Sequence, residues 1–130
     1  MQLDKWISDF LAKRGLQNPD GRPLFAYKTS HEEFESLGKL LRELPVGLCT
    51  QLPYSQAWLL FAAEWWKRCY AGGAWRWGPL CEAAGLKSVP YDKVRTLVIT
   101  GHKIWCLQTT IKNEGKRFIG LVAVNGGLPM

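Results

Sequence analysis

The sequence contains few of the residues and motifs on which metal sites and common catalytic centres depend. Its four cysteines lie 20, 12 and 25 residues apart with no C-x-x-C pair, a spacing that disfavours a zinc site. It has no G-x-x-x-x-G-K-[ST] phosphate loop, no G-x-G-x-x-G and no G-x-S-x-G. We therefore predict a protein that is not an enzyme, with no catalytic residue, metal or cofactor.

Long apolar runs and targeting features are also missing. The longest nearly uncharged stretch, residues 50–63, is shorter than the roughly 20 residues that cross a bilayer. Residues 1–11 lack a basic region followed by an apolar one, so no secretory signal is expected. The cysteines stand singly in apolar surroundings, which is typical of reduced thiols. These features predict a cytoplasmic protein that makes no membrane contact.

The positive charge is concentrated in the carboxyl-terminal part of the chain. The 130 residues carry a net charge of +6. Residues 1–74 hold nine basic and eight acidic side chains, whereas residues 75–130 hold eight and three. Such an asymmetry favours a surface for phosphates or for an acidic partner, although charge that serves only solubility is an equal alternative.

Apolar spacing predicts three helices in residues 1–74. The first helix has an apolar stripe and ends at Gly15, which can adopt a left-handed conformation. The second begins with a capping box of Ser30 and Glu33, and Gly38 allows a close neighbour. The third, over about residues 54–70, is apolar on almost every side and should be the central helix. The expected apolar stripes are Leu3, Trp6, Ile7, Phe10 and Leu11 in the first helix, and Phe34, Leu37, Leu41 and Leu44 in the second.

Glu64 is the only charge in the most apolar part of the third helix. A buried carboxylate needs a hydrogen-bond donor or an ionic partner. We expect a structural anchor to an arginine, such as Arg76, or to a tryptophan indole. A catalytic acid is the less favoured alternative.

The remaining sequence predicts a short helix near residues 79–84, a longer helix over residues 94–106 and a β-hairpin over residues 109–124. For residues 94–106 the helix is favoured over a hairpin, because the apolar spacing is mostly helical although β-branched residues are frequent. The predicted fold is one compact domain over residues 1–130. It is mainly α with a carboxyl-terminal β-hairpin (α+β): a helical bundle in residues 1–74, then a basic part in residues 75–130.

The order of elements in residues 77–124 matches a winged helix-turn-helix, in which the second helix contacts the major groove and the hairpin touches the DNA backbone. This arrangement predicts a set of nucleic-acid-binding residues on the longer helix and the wing. They are Lys93, Arg95, His102, Lys103, Lys112, Lys116 and Arg117.

A second candidate surface is the glycine-bounded loop Trp75-Arg76-Trp77. Its aromatic rings and guanidinium could stack on unpaired bases or anchor a protein partner. A structural clamp across the loop is the favoured alternative. Trp6, Trp58, Trp65 and Trp105 lie on apolar helix faces and are expected in the core.

Several segments resemble the amino-terminal region of a family of large proteins from bacterial antiphage defence islands of the Druantia type. The resemblance lies in Arg14-Gly15-Leu16, residues 19–27, Glu33-Phe34 with Leu37, residues 63–68 and 70–75, and the terminal residues 126–129. In such systems a large accessory protein accompanies a helicase. The resemblance implies a domain of a larger protein or a stand-alone relative, and it transfers no catalytic residue.

Two functions follow as hypotheses. The first is a non-catalytic module of antiphage defence that binds DNA or RNA. The alternative is a protein docking module that recruits a helicase or another defence partner.

Overall fold

The computed structural model describes residues 2–22, 24–43, 52–69 and 91–107. Within these ranges the chain forms four α-helices and one short 3-10 helix. The α-helices are α1 (Gln2–Ala12), α2 (His31–Glu43), α3 (Leu52–Cys69) and α4 (Tyr91–Ile104), and the 3-10 helix covers Leu24–Tyr27.

The helix ends follow the local chemistry that the sequence predicts. Gly15 adopts a φ of 73°, and the Leu16 N–H donates to the Leu11 carbonyl at 2.9 Å, so α1 ends in a left-handed turn. At the start of α2 the Glu33 N–H donates to Ser30 Oγ at 3.0 Å and the Ser30 N–H donates to Glu33 Oε1 at 2.9 Å. The predicted glycine stop and capping box are both confirmed.

Helix α3 is the centre of the fold. It contacts α1, the 3-10 helix, α2 and α4, and every residue from 57 to 64 is buried. The buried apolar residues of all four helices form one cluster with α3. The prediction of a central apolar helix is confirmed. Among the described residues, no helix is both long and apolar enough to cross a membrane.

Two glycines set the distance between α3 and its neighbours. A Cβ at Gly101 of α4 would lie 2.8 Å from both the Ser55 carbonyl oxygen and the Leu59 Cβ. A Cβ at Gly38 of α2 would lie 2.8 Å from a ring carbon of Phe61. The helices therefore approach more closely than any larger residue allows.

The predicted α+β class is wrong for the described part of the chain, whose regular elements are all helices and which contains no strand. Its segment rich in β-branched residues, 96–100, lies inside α4, because burial of an apolar face at helical spacing outweighs β propensity. The predicted short helix near residues 79–84 and the predicted hairpin over residues 109–124 lie outside the described residues. The predicted winged helix-turn-helix needs that hairpin as its wing, so it is part of the same α+β prediction and is not proposed further.

Candidate functional site

Helix α4 presents basic side chains along the surface that does not pack against α3. Val94, Leu97, Val98, Gly101 and Trp105 are buried, as the helical spacing predicts. The four residues of this helix that the sequence singles out lie away from that face: Lys93, Arg95 and Lys103 are exposed, and His102 is half-buried.

The exposed side of α4 is ordered in two stripes. Lys93, Thr96, Thr100 and Lys103 follow each other at i, i+3, i+7 and i+10, which places them along one line of an α-helix. Arg95 and His102 lie on the adjacent line. Ten residues separate Lys93 from Lys103, so their backbone positions lie about 15 Å apart along the helix axis.

The other predicted binding residues cannot be placed. Lys112, Lys116 and Arg117 of the expected wing, and Trp75, Arg76 and Trp77 of the aromatic loop, lie outside the described residues. Of the four tryptophans expected in the core, Trp58 and Trp105 are fully buried. Trp6 and Trp65 are half-buried and pack against the core.

A groove of about 670 Å³ opens between α1 and α2. One wall includes Trp6 and Asp9 of α1 and Lys13, which directly follows this helix, and the other includes Glu32 and Ser36 of α2. The buried rings of Phe10 and Tyr27 also line it. The groove therefore combines an aromatic surface with charged side chains of both signs.

Arg14 ties the two walls of the groove together. Its Nη1 and Nη2 donate to the two carboxylate oxygens of Glu33 at 3.0 and 2.7 Å. The same guanidinium donates to the backbone carbonyls of Phe10 at 2.9 Å, Tyr27 at 2.6 Å and Lys28 at 3.4 Å. These five bonds use all five N–H groups of the guanidinium. Arg14 is therefore a structural clamp of the groove.

The Glu33 carboxylate serves the capping box and the Arg14 clamp at once. Burial acts to raise the pKa of Glu33, but hydrogen bonds from Arg14 and from the Ser30 N–H outweigh it and hold the pKa below its ordinary value. The side chains of Arg14 and Glu33 are only 15% and 14% exposed. This ion pair is therefore shielded from solvent far more than a surface pair.

Aromatic rings continue from the clamp to the groove surface. The Arg14 guanidinium lies 3.8 Å from the centre of the Phe10 ring. The Trp6 ring stacks on the Phe10 ring, with centroids 5.2 Å apart and an interplanar angle of 15°. The Trp6 indole N–H donates to Ser36 Oγ at 3.1 Å, which fixes the ring against α2.

A second ion pair lies near Tyr27. The Arg22 Nε donates to the Asp20 carboxylate at 2.9 Å, and this bond lowers the pKa of Asp20 to about 2. The Tyr27 hydroxyl donates to Asp20 at 3.4 Å, and burial raises the pKa of that hydroxyl. This exposed pair closes the turn that precedes the 3-10 helix.

Glu64 is 1% exposed and pairs with Arg68, one helical turn along α3. Arg68 also donates to the Thr29 carbonyl at 2.8 Å and lies 4.8 Å from the centre of the Phe34 ring. The expected arginine anchor is thus present and is supplied by Arg68, whereas Arg76 lies outside the described residues. Glu64 Oε2 and Thr29 Oγ1 are buried without a hydrogen-bond partner in the described part of the chain.

The Arg14 clamp was not anticipated from the sequence. The positive charge of Arg14 already suits the negative carboxyl end of the α1 dipole. That interaction explains Arg14 without any contact to Glu33, which lies 19 residues further along the chain. The capping box identified Glu33, yet nothing in the spacing of residues indicates which cation approaches it. Among the described residues, no group of three or more histidine, cysteine or acidic side chains is placed to hold a metal ion.

These observations define a small helical domain with a charged groove on one region and a basic helix on another. Residues 1–128 match the YjiT N-terminal domain family, and the chain belongs to that family. It is 32% identical over 135 residues to Protein YjiT of Escherichia coli strain K12, in an alignment that covers 99% of this chain and 26% of the relative. The chain thus spans about a quarter of the length of this curated relative. No solved structure matches it.

Proposed function

We propose that the domain is a non-catalytic nucleic-acid-binding module whose contact surface is the exposed side of α4. The observation that carries this proposal is the pair of exposed lysines there, on one line of the helix. Lys93 and Lys103 are exposed and form no ion pair within the described residues. Cations that contact a phosphate backbone release counterions from it, which is the main source of non-specific nucleic-acid affinity.

The charge distribution along the chain supports the same surface. Residues 75–130 contain eight basic and three acidic side chains, and α4 belongs to this part. Lysines contact phosphates as point charges and fix the position of a protein on the duplex, whereas base reading needs further groups. The proposal is therefore a backbone contact with little sequence preference.

The domain would act within a larger cytoplasmic protein of bacterial antiphage defence. The resemblance of residues 14–16, 19–27, 63–68, 70–75 and 126–129, with Glu33, Phe34 and Leu37, to Druantia-type accessory proteins supports this context. The length of the E. coli relative, about four times that of the match, supports the larger protein.

The test compares two variants with the same change in charge. Lys93→Gln with Lys103→Gln removes two cations from α4, and Lys5→Gln with Lys39→Gln removes two exposed cations from α1 and α2. Fluorescence anisotropy with a labelled 20-base-pair duplex and a labelled 20-nucleotide single strand at 50 mM salt measures affinity. We expect the α4 variant to lower the affinity about tenfold and the matched variant to lower it less than threefold.

Equal losses in the two variants would mean that net charge alone is responsible, and they would reject α4 as the interface. No binding of the unchanged chain to either probe at 50 mM salt would reject the proposal altogether.

The second candidate function is a docking module for the remainder of a longer protein or for a helicase. The observation that favours it is the α1–α2 groove, which joins an aromatic surface to polar rims as protein interfaces do. Co-purification with the part of E. coli YjiT outside the match tests it. Retention of that segment by the tagged chain supports docking, and elution of the two as separate species contradicts it.

A further inference from the structure

The α1–α2 groove has an acidic excess on a chain whose net charge is +6. Asp9, Glu32 and Glu33 line it against Lys13 and Arg14. The Arg14–Glu33 pair is neutral overall, so two carboxylates and one ammonium remain. The local charge of this groove therefore has the opposite sign to that of the whole chain.

The two remaining carboxylates are available to a ligand. Asp9 and Glu32 are exposed, and within the described residues their side chains make no hydrogen bond or ion pair. They lie on opposite walls, one on α1 and one on α2. A monovalent cation placed between the walls would be attracted to both carboxylates and, together with Lys13, would balance their charge, so the complementarity favours a position as well as a sign.

The stacked rings of Trp6 and Phe10 add an aromatic surface for a cation beside the two carboxylates. One face of the Trp6 indole is covered by Phe10, and Trp6 itself is half-buried and lines the groove. Tryptophan is the side chain whose ring face attracts guanidinium and ammonium groups most strongly. The Trp6–Ser36 hydrogen bond holds the ring in place, so little side-chain freedom is lost when a ligand binds.

We propose that the α1–α2 groove binds a cationic peptide segment, with an arginine side chain on the Trp6 indole between Asp9 and Glu32. An arginine suits the site better than a lysine, because its planar guanidinium stacks on a ring and bonds to carboxylates in the same plane. This inference rests on the docking function and specifies that the docking partner presents a cationic segment with an arginine. It is independent of nucleic-acid binding by α4.

The test is a titration of the isotope-labelled chain, followed by amide and indole N–H resonances in nuclear magnetic resonance spectra. The probe is the acetylated and amidated peptide Gly-Arg-Gly-Arg-Gly, and the control peptide is Gly-Gln-Gly-Gln-Gly. We expect the arginine peptide to shift the Trp6 indole N–H and the amides of Asp9, Lys13 and Ser36. The glutamine peptide should leave them unchanged.

A matched pair of variants separates this site from general attraction by acidic residues. Asp9→Asn with Glu32→Gln should weaken binding of the arginine peptide about tenfold, which equals about 1.4 kcal/mol. Glu35→Gln with Glu43→Gln makes the same change in charge on α2 outside the groove, and it should weaken binding less than twofold. Both pairs replace exposed side chains, and retained helical circular dichroism confirms that they fold.

Three results would overturn the proposal: no shift of the Trp6 indole N–H, equal shifts with the glutamine peptide, or equal weakening by the two variant pairs. The docking function is judged separately by co-purification with the E. coli YjiT segment. If that segment binds and the arginine peptide does not, the groove site is wrong while docking stands.

Discussion

Two regions of the molecule pack on the same central helix, α3, but differ in the contacts of their charged side chains. One region consists of α1, the 3-10 helix and α2, and the other is α4. Residues 2–43 contain seven basic and seven acidic side chains, and several are joined within the protein, as in Arg14–Glu33 and Arg22–Asp20. In α4, Lys93 and Lys103 have no such partner among the described residues. The first region therefore contains partly buried and turn-closing ion pairs with structural roles, and the two exposed lysines of α4 take part in none.

The largest expected effect separates α4 from α3. In Gly101→Val the new side chain meets the Ser55 carbonyl and Leu59, and neither can move without displacing α3. We expect a loss of about 3 kcal/mol in the free energy of unfolding, measured by urea denaturation. Thr100→Val, at the adjacent half-buried position, is the control and should change stability by less than about 1 kcal/mol. Equal effects would show that close helix contact at Gly101 is unimportant.

The second prediction breaks the ionic clamp of the α1–α2 region. Arg14→Lys keeps the charge but cannot form the paired bonds to Glu33 together with the three bonds to backbone carbonyls. We expect a loss of about 2 kcal/mol in the free energy of unfolding. Lys93→Gln on α4 should change it by less than about 0.5 kcal/mol. A loss for Arg14→Lys as small as that for Lys93→Gln would contradict the comparison between the two regions.

The third prediction uses acid to loosen the same region. The pKa of Glu33 lies below its ordinary value of 4.5, and that of Asp20 falls from 3.8 to about 2. A carboxyl with a lowered pKa in the folded state binds its proton more readily when unfolded. Its contribution to stability is therefore present above the unfolded pKa and is lost as the pH falls through the folded one.

We expect the free energy of unfolding to hold from pH 7 to about pH 5 and to fall between about pH 4.5 and pH 2. Urea denaturation at several pH values measures it. Glu33→Gln should be less stable at pH 7 and should show a smaller fall, because the titrating carboxyl is gone. An equally large fall in Glu33→Gln would assign the acid sensitivity to other groups.

The smallest effect concerns the end of α4. Cys106 adopts a φ of 55°, and the Leu107 N–H donates to the His102 carbonyl at 3.1 Å, so α4 ends in the left-handed turn that usually contains glycine. Cys106→Gly should raise the free energy of unfolding by about 0.5 kcal/mol. Cys106→Ser keeps the strained backbone and should show no gain. A gain in the serine variant alone would point to the thiol as the source of strain.

Local signals in the sequence predicted much of the helical framework. The Ser30–Glu33 capping box, the Gly15 stop and the uniformly apolar α3 each depend on residues within a few positions of one another. A helix in the segment 94–106 was also predicted correctly, because Val94, Leu97, Val98 and Gly101 share one face, although α4 begins at Tyr91 and ends at Ile104. Within the described residues, these features needed no knowledge of tertiary contacts.

The errors and omissions concern contacts between distant residues. Arg14 and Glu33 lie 19 positions apart, and Arg68 reaches the Thr29 carbonyl across 39. No period or spacing encodes such pairs, so the sequence did not reveal the groove and did not identify which arginine pairs with Glu64. The α+β class depended on a hairpin at residues 109–124, outside the described residues, whereas the regular elements of the described part are all helices.

The most direct test of the contrast between the two regions is to titrate the isotope-labelled chain with a 20-base-pair duplex at 50 mM salt and map the resonances that shift. The account predicts that the largest shifts fall on α4, around Lys93, Arg95 and Lys103, while the Trp6 indole N–H and the amides of α1 and α2 stay in place. Shifts concentrated on α1 and α2, or none anywhere, would contradict it.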